Sequence, residues 1–298
     1  MDHFKQSLEI RRRVYKGDHK EIEESLSYIG DMLDNIGKHQ EALVYYKEAL
    51  DMNNKLSNQD NELRAISMNK IGVLFNELGQ SESALYFSQR SLEIAKKVFR
   101  GDDHLIEMAL YNVGNTLLFG LHKPHEVLNY FKEALEMNKR LHKEGSINRA
   151  NYLSEIGLSL EMLRNPQEAL DYQIQALTLK KKFFPPDHEK IVESLVSLGA
   201  LSQSLGRTQE GLDYLMQAFN MKKRLTLGDN ITLASILIEL GNAFSLVGNF
   251  ESAFDYAKQA LEMTQRLPQR DYIESYQALH IMGHALLHVG DCKRHMIC

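Results

Sequence analysis

His280, His284 and His288 follow one another at four-residue intervals in a chain of 298 residues. On a helix this spacing puts neighbouring imidazoles on one face, where an adjacent pair can share a zinc ion. The outer two would lie about 12 Å apart along the axis, too far to share one ion. His280 and His284 are therefore the weak candidates for metal ligation, with His295, Cys292 and Cys298 nearby. The plainer reading makes them groove-facing polar residues, with no metal or other cofactor expected. His19, His104 and His188 stand beside aspartates, 85 and 84 residues apart, and read as turn residues. The sequence holds no phosphate-binding glycine loop, GxSxG elbow, HExxH pair or CxxC pair. Nothing matches the spacing that such chemistry needs, so no enzymatic activity is expected.

The charged residues carry more information. There are 35 Lys plus Arg against 40 Asp plus Glu, a formal net charge of −5. That balance argues against nucleic acid as a partner, which calls for a clustered basic footprint. Two cysteines, both in the last seven residues, exclude a disulfide framework. They fit a reducing compartment, so a cytoplasmic location is expected. No signal-peptide core and no apolar stretch of membrane-spanning length occurs, so no membrane span is expected. Five prolines and no tryptophan, with 43% apolar residues, suit a helical globular protein.

What positions these residues is a repeat. Gly30, Gly72, Gly114, Gly157, Gly199, Gly241 and Gly283 are spaced 42, 42, 43, 42, 42 and 42 residues apart. Apolar residues recur four and one before each glycine and three after it, as in Leu26, Ile29 and Leu33; only Ser202 breaks the pattern. Those offsets trace one face of a helix, here helix A. A glycine on that face lets a neighbouring helix come close. A second helix, helix B, carries an aromatic (Tyr45, Phe87, Tyr130, Tyr172, Tyr214, Tyr256) and, four residues on, Ala or Ser. Gly37, Gly79, Gly206, Gly248 and Gly290 mark the turn between the two, where glycine supplies a left-handed C-cap. The extra residue of the 43-residue interval is expected in the third turn, Gly120 to Pro124. Asp18, Asp60, Asp102, Asp187, Asp229 and Asp271 lie twelve residues before a marker glycine; only Gly145 departs. They are expected to cap helix A.

Seventeen residues before each glycine stands a cation: Arg13, Lys55, Lys97, Arg140, Lys182, Arg224 or Arg266. One reading is compensation of the helix dipole. The other is a basic edge able to meet an acidic partner.

The unit resembles the tetratricopeptide repeat, in stretches such as LSYIG…GKHQEALVYYKEAL and LIELGNAFSLVGNFESAFDYAKQAL. Its 42-residue period and inter-repeat stretches such as FFPPDHEKIVESL look like the kinesin light chain type. The resemblance implies an all-α, right-handed superhelix of helix-turn-helix repeats over 1–298. The expected repeats are 17–57, 58–100, 101–143, 144–184, 185–226 and 227–267. Residues 1–16 match a helix B alone, and 268–298 an incomplete last repeat. The expectation drawn is a piece of a longer repeat protein, a gene model cut short, or ends that pair between chains. The resemblance also implies a non-catalytic scaffold that binds a peptide or helix along its A helices. The expected contacts are Asn69, Asn112, Asn115, Glu155, Glu193, Glu239 and Asn242, an acidic and amide-rich wall suited to a basic protein or peptide ligand. A cargo adaptor like kinesin light chains, or the repeat segment of a larger regulatory enzyme, are the alternatives.

Overall fold

Fourteen α-helices and no strand form among the described residues of the computed structural model, which are 2–267 and 272–295, with side chains placed over 3–267 and 273–288. They are α1 (Asp2–Val14), α2 (Lys20–Asn35), α3 (His39–Leu56), α4 (Glu62–Glu77), α5 (Ser81–Val98), α6 (His104–Asn115), α7 (Pro124–Leu141), α8 (Ile147–Met162), α9 (Pro166–Phe183), α10 (Glu189–Ser204), α11 (Thr208–Leu225), α12 (Ile231–Leu246), α13 (Phe250–Arg266) and α14 (Tyr272–His295). The even-numbered helices are the A helices and the odd-numbered ones the B helices. Two compact units form, Met1–Ser159 and Leu160–Cys298.

In the first unit, α2 packs on α3, α4 on α5 and α6 on α7, and each pair packs on the next. Leu26, Ile29 and Leu33 are at most 1% exposed, and Leu110 and Val113 of α6 with Leu117 just beyond its end repeat them. Full burial of one such side chain is worth about 1.5–3 kcal/mol. The marker glycine sits under a B-helix residue sixteen or seventeen positions on. A Cβ on Gly30 would lie 2.9 Å from the Tyr46 ring, and one on Gly114 2.4 Å from Phe131. The fully buried B-helix residue is thus the one after the predicted aromatic, and Tyr45 itself is half-buried.

The second unit is built the same way, with α10 on α11, α12 on α13 and α13 on α14. Ser202 is fully buried at its apolar position and its hydroxyl has no partner. On α14 the equivalent face is open: Leu279 and Leu286 are 55% and 58% exposed, and nothing lies near Gly283.

The A-to-B turns follow the expected chemistry, with two substitutions. Gly37, Gly79, Gly206 and Gly248 have φ between 70° and 78°. In the first turn Gly37 N–H donates to the Asp34 carbonyl and Lys38 N–H to that of Leu33, closing the helix end. The third and fourth turns use His122 (φ 53°) and Arg164 (φ 59°) at the same place. The extra residue of the third unit lies earlier than expected. It is taken up in a π-helical turn, Thr116–Gly120, continuous with α6, where Leu121 N–H reaches the Thr116 carbonyl at 3.0 Å.

The aspartates twelve residues before the glycine do not cap helix A. The caps are their successors: His19, Asn61, Asp103, His188 and Asn230 accept from backbone N–H groups of the first turn. The aspartates instead meet the cations in the last turn of helix B. Arg140 binds Asp102 through two bonds of 2.5 and 2.7 Å, Arg224 binds Asp187 (2.9 and 2.6 Å), and Arg266 binds Asp229 (2.6 and 3.0 Å). Lys55 lies 3.7 Å from Asp18 and Lys97 3.5 Å from Asp60. Each pair ties the start of one hairpin to its end, because antiparallel helices bring those ends together. The guanidinium groups hold the carboxyls of Asp102, Asp187 and Asp229 below the usual range. Arg13 and Lys182 also stand in last turns, of α1 and α9. Gly290, expected in a turn, lies inside α14, which runs on to His295 without a break; Asp271 and Cys298 lie outside the described residues, as do the side chains of Cys292 and His295.

Candidate functional site

The open face of the A helices carries the polar residues that the apolar stripe leaves over. In the first unit it holds a cavity of about 450 Å³ whose wall comes from α2, α4, α6 and α8 alone. Asp34, Lys70 and His104 line it with the amides of Asn69, Asn112, Asn148 and Asn151, and Val73 and Met108 add apolar surface. Asn112 Nδ2 donates to Asn69 Oδ1 at 2.8 Å, so two amides from successive A helices are locked together. The bond uses the NH2 end of Asn112 and the oxygen of Asn69, and Asn69 is only 3% exposed.

A smaller cavity of about 280 Å³ adjoins it on α2 and α4, with Glu23, Glu24 and Asp31 in its wall and Tyr46 of α3 reaching in. There Asp31 accepts from Tyr46 Oη (2.5 Å) and pairs with Lys70. Burial, with the Asp31 carboxylate beside it, pushes the Tyr46 phenol far up. The acidic character of this stretch is therefore partly compensated within the fold. Tyr111, whose phenol is raised by burial and by Glu155, lies beside Phe131 and Tyr152 at ring separations of 5.8 and 5.2 Å.

In the second unit a cavity of about 410 Å³ lies on α10, α12 and α14. It gathers Gln203, Glu239, Asn242, Ser245, His280 and His284. Burial alone pushes the Glu239 carboxyl up. His284 Nδ1 sits 3.2 Å from Ser245 Oγ, and the His288 ring stacks on Phe250 at 4.3 Å.

Of the predicted contact residues, Asn69 and Asn112 come together in the first unit, and Glu239 and Asn242 in the second. Asn115, Glu155 and Glu193 do not line these cavities. Glu193 pairs with Lys190 at 2.9 Å. Asn115 Oδ1 is buried without a bond in a residue next to the π-helical turn. His280 and His284 share a cavity, but no third ligand joins them among the described residues. The group that does converge is His104, Glu107 and His142, which no spacing in the sequence announces, since His142 belongs to the following helix.

The tetratricopeptide repeat model matches residues 2–55, 21–97, 63–140, 105–182, 146–224 and 190–266. No curated protein matches the chain. Solved structures share its fold at low identity. The nearly identical TPR-like repeats of a Podosopora anserina protein described as a kinesin light chain are 15% identical, with a TM-score of 0.58, covering 68% of this chain and 96% of theirs. The type IV pilus biogenesis factor PilW is 14% identical, with a TM-score of 0.64, covering 88% of this chain and 100% of its own. The apo form of RapI is 16% identical, with a TM-score of 0.62, covering 91% and 99%.

Proposed function

The chain belongs to the tetratricopeptide-repeat family of protein-interaction scaffolds, and on that premise we propose that it binds a basic peptide segment of a protein partner on its A helices, without catalysis. The observation that carries this reading is the make-up of the cavities. The 450 Å³ cavity of the first unit and the 410 Å³ cavity of the second have walls from A helices only and set amides beside carboxylates, Asp34 in the one and Glu239 in the other. Side-chain amides can bond a peptide backbone whatever its side chains are. A half-buried carboxylate such as Glu239 is costly to ionise, and an incoming Lys or Arg offsets that cost. Asn69, Asn112, Asn115, Glu155, Glu193, Glu239 and Asn242 remain the proposed contact set, with Asn112, Glu239 and Asn242 at its centre. The matched acids opposite Lys55, Lys97, Arg140, Arg224 and Arg266 weigh against a basic edge as the binding surface.

The test is selection from a random peptide display library at physiological salt, followed by fluorescence anisotropy on the enriched peptides. Basic peptides are expected, with binding at least about tenfold weaker in Glu239→Gln or Asn112→Ala. Enrichment of acidic peptides, or affinities unchanged in both variants, overturns the reading.

A further inference from the structure

Glu107, in the first turn of α6, is fully buried. Its Oε1 accepts from Asn138 Nδ2 at 2.8 Å and from Tyr152 Oη at 2.5 Å. Its Oε2 is equally buried and accepts no hydrogen bond. A carboxylate oxygen in that state is expensive to leave unmatched. The atoms facing it are ring nitrogens: His104 Nδ1 at 3.6 Å and His142 Nε2 at 4.0 Å. All three groups lie within 4.8 Å of one another.

The other hairpins show that the fold does not require this arrangement. The first hairpin has the same buried acid and amide: Asn53 Nδ2 donates to Glu23 Oε1 at 3.0 Å. At the places of the two histidines it has Lys20 and Ser57. The acid–amide pair is thus an architectural device used twice. The two imidazoles are additions to one copy of it, brought from the first residue of α6 and the C-cap of α7.

We propose that His104, Glu107 and His142 form a binding site for a divalent transition-metal ion, of which zinc is the best match. Two neutral imidazoles and one carboxylate are a donor set that zinc takes with nitrogen and oxygen at about 2.0–2.2 Å. A tetrahedral ion with such bonds sets its ligand atoms about 3.4 Å apart. The observed 3.6 and 4.0 Å close to that value by rotation of the two part-exposed histidines. The ordering shell is in place. Asn138 and Tyr152 fix the carboxylate, while the His142 backbone is held by its own N–H donating to the Asn138 carbonyl at 2.8 Å and by Arg149 donating to its carbonyl. Three protein ligands leave a fourth position for water or a donor from a bound peptide, and His104 also lines the first unit's cavity. The ion clips the start of α6 to the end of α7, beside the Asp102–Arg140 pair that ties the same two ends. This inference stands on geometry independent of the peptide-binding reading.

The experiment is titration of the tag-free full chain with Zn²⁺ by calorimetry, and with Co²⁺ by visible absorption. One ion per chain is expected, with the absorption of tetrahedral cobalt. His104→Ala and His142→Ala, changes at part-exposed residues, are expected to abolish the cobalt band and weaken zinc by more than about tenfold. Tyr152→Phe, which only loosens the carboxylate, is expected to weaken zinc about tenfold. A His280→Ala, His284→Ala, Cys292→Ser, Cys298→Ser variant is expected to bind as the parent does. The proposal is overturned if no ion binds, if binding survives His142→Ala, or if it disappears in the four-site variant. A plain histidine–carboxylate ion pair predicts the first of these outcomes.

Discussion

Residues buried against their chemistry are where this chain departs from a generic scaffold. Glu239 binds its proton more tightly in the fold than in the unfolded chain, because burial penalises the carboxylate. The stability tied to that proton is therefore complete below the unfolded chain's ordinary value and is lost as pH rises through the raised one. Glu239→Gln is expected to be more stable than the parent near neutral pH and equal to it in acid, which urea melts at the two pH values check. Binding of a basic peptide runs the other way and strengthens as Glu239 ionises. The histidines taught a similar lesson. His19 and His188 are helix caps, so their reading as turn residues meets the structure, whereas His104 is free of that task because Asp103 performs it. The local sequence carries the difference: His104 follows two aspartates and stands ten residues before its marker glycine, where His19 and His188 follow one and stand eleven before theirs.

At the scale of the element, turns three and four show how a position can be fixed without its usual residue. The left-handed conformation at His122 and Arg164 is imposed by the bonds that close the helix end, such as Asn165 N–H to the Leu160 carbonyl at 2.8 Å. A side chain there costs about 1–2 kcal/mol relative to glycine, partly offset by the freedom glycine has when unfolded. Arg164→Gly is expected to raise stability by about 0.5–1 kcal/mol, read from chemical denaturation. The π-helical turn at Thr116–Gly120 was legible only as an interval of 43 in a series of 42. Its position was not, since an inserted residue can be absorbed anywhere between two fixed contacts. Here Gly120 is held against Ser81, where a Cβ would lie 2.6 Å from Oγ, and that contact pins the insertion upstream of the turn.

At the scale of the whole chain, stability is local, because within each unit a hairpin packs on the next one along the chain. A Cβ on Gly199 would stand 2.6 Å from Leu215 Cγ, so Gly199→Leu is expected to cost about 3 kcal/mol or more. Hydrogen exchange is expected to lose protection over α10–α13 while α2–α5 keep theirs; uniform loss, or none, overturns this packing scheme. The aspartate–cation ladder acts at the same scale. Its members are exposed, so salt screens them, and they align hairpin ends more than they stabilise them.

The period, the A and B helices, their apolar stripe and the tight glycine contacts were all determined by the sequence itself. These are properties of spacing, and seven marker glycines separated by 42 residues, once by 43, leave one register for burial. The family follows from the same residues. What only the tertiary structure decided was pairing across distance. The repeating aspartates looked like caps because a cap is a local event; their partners lie 37 or 38 residues away, at the other end of a hairpin. Asn69 meets Asn112 across 43 residues, and His142 meets Glu107 from another helix. A polar side chain chooses among several partners of similar energy, and the packing of apolar faces determines which of them comes within reach.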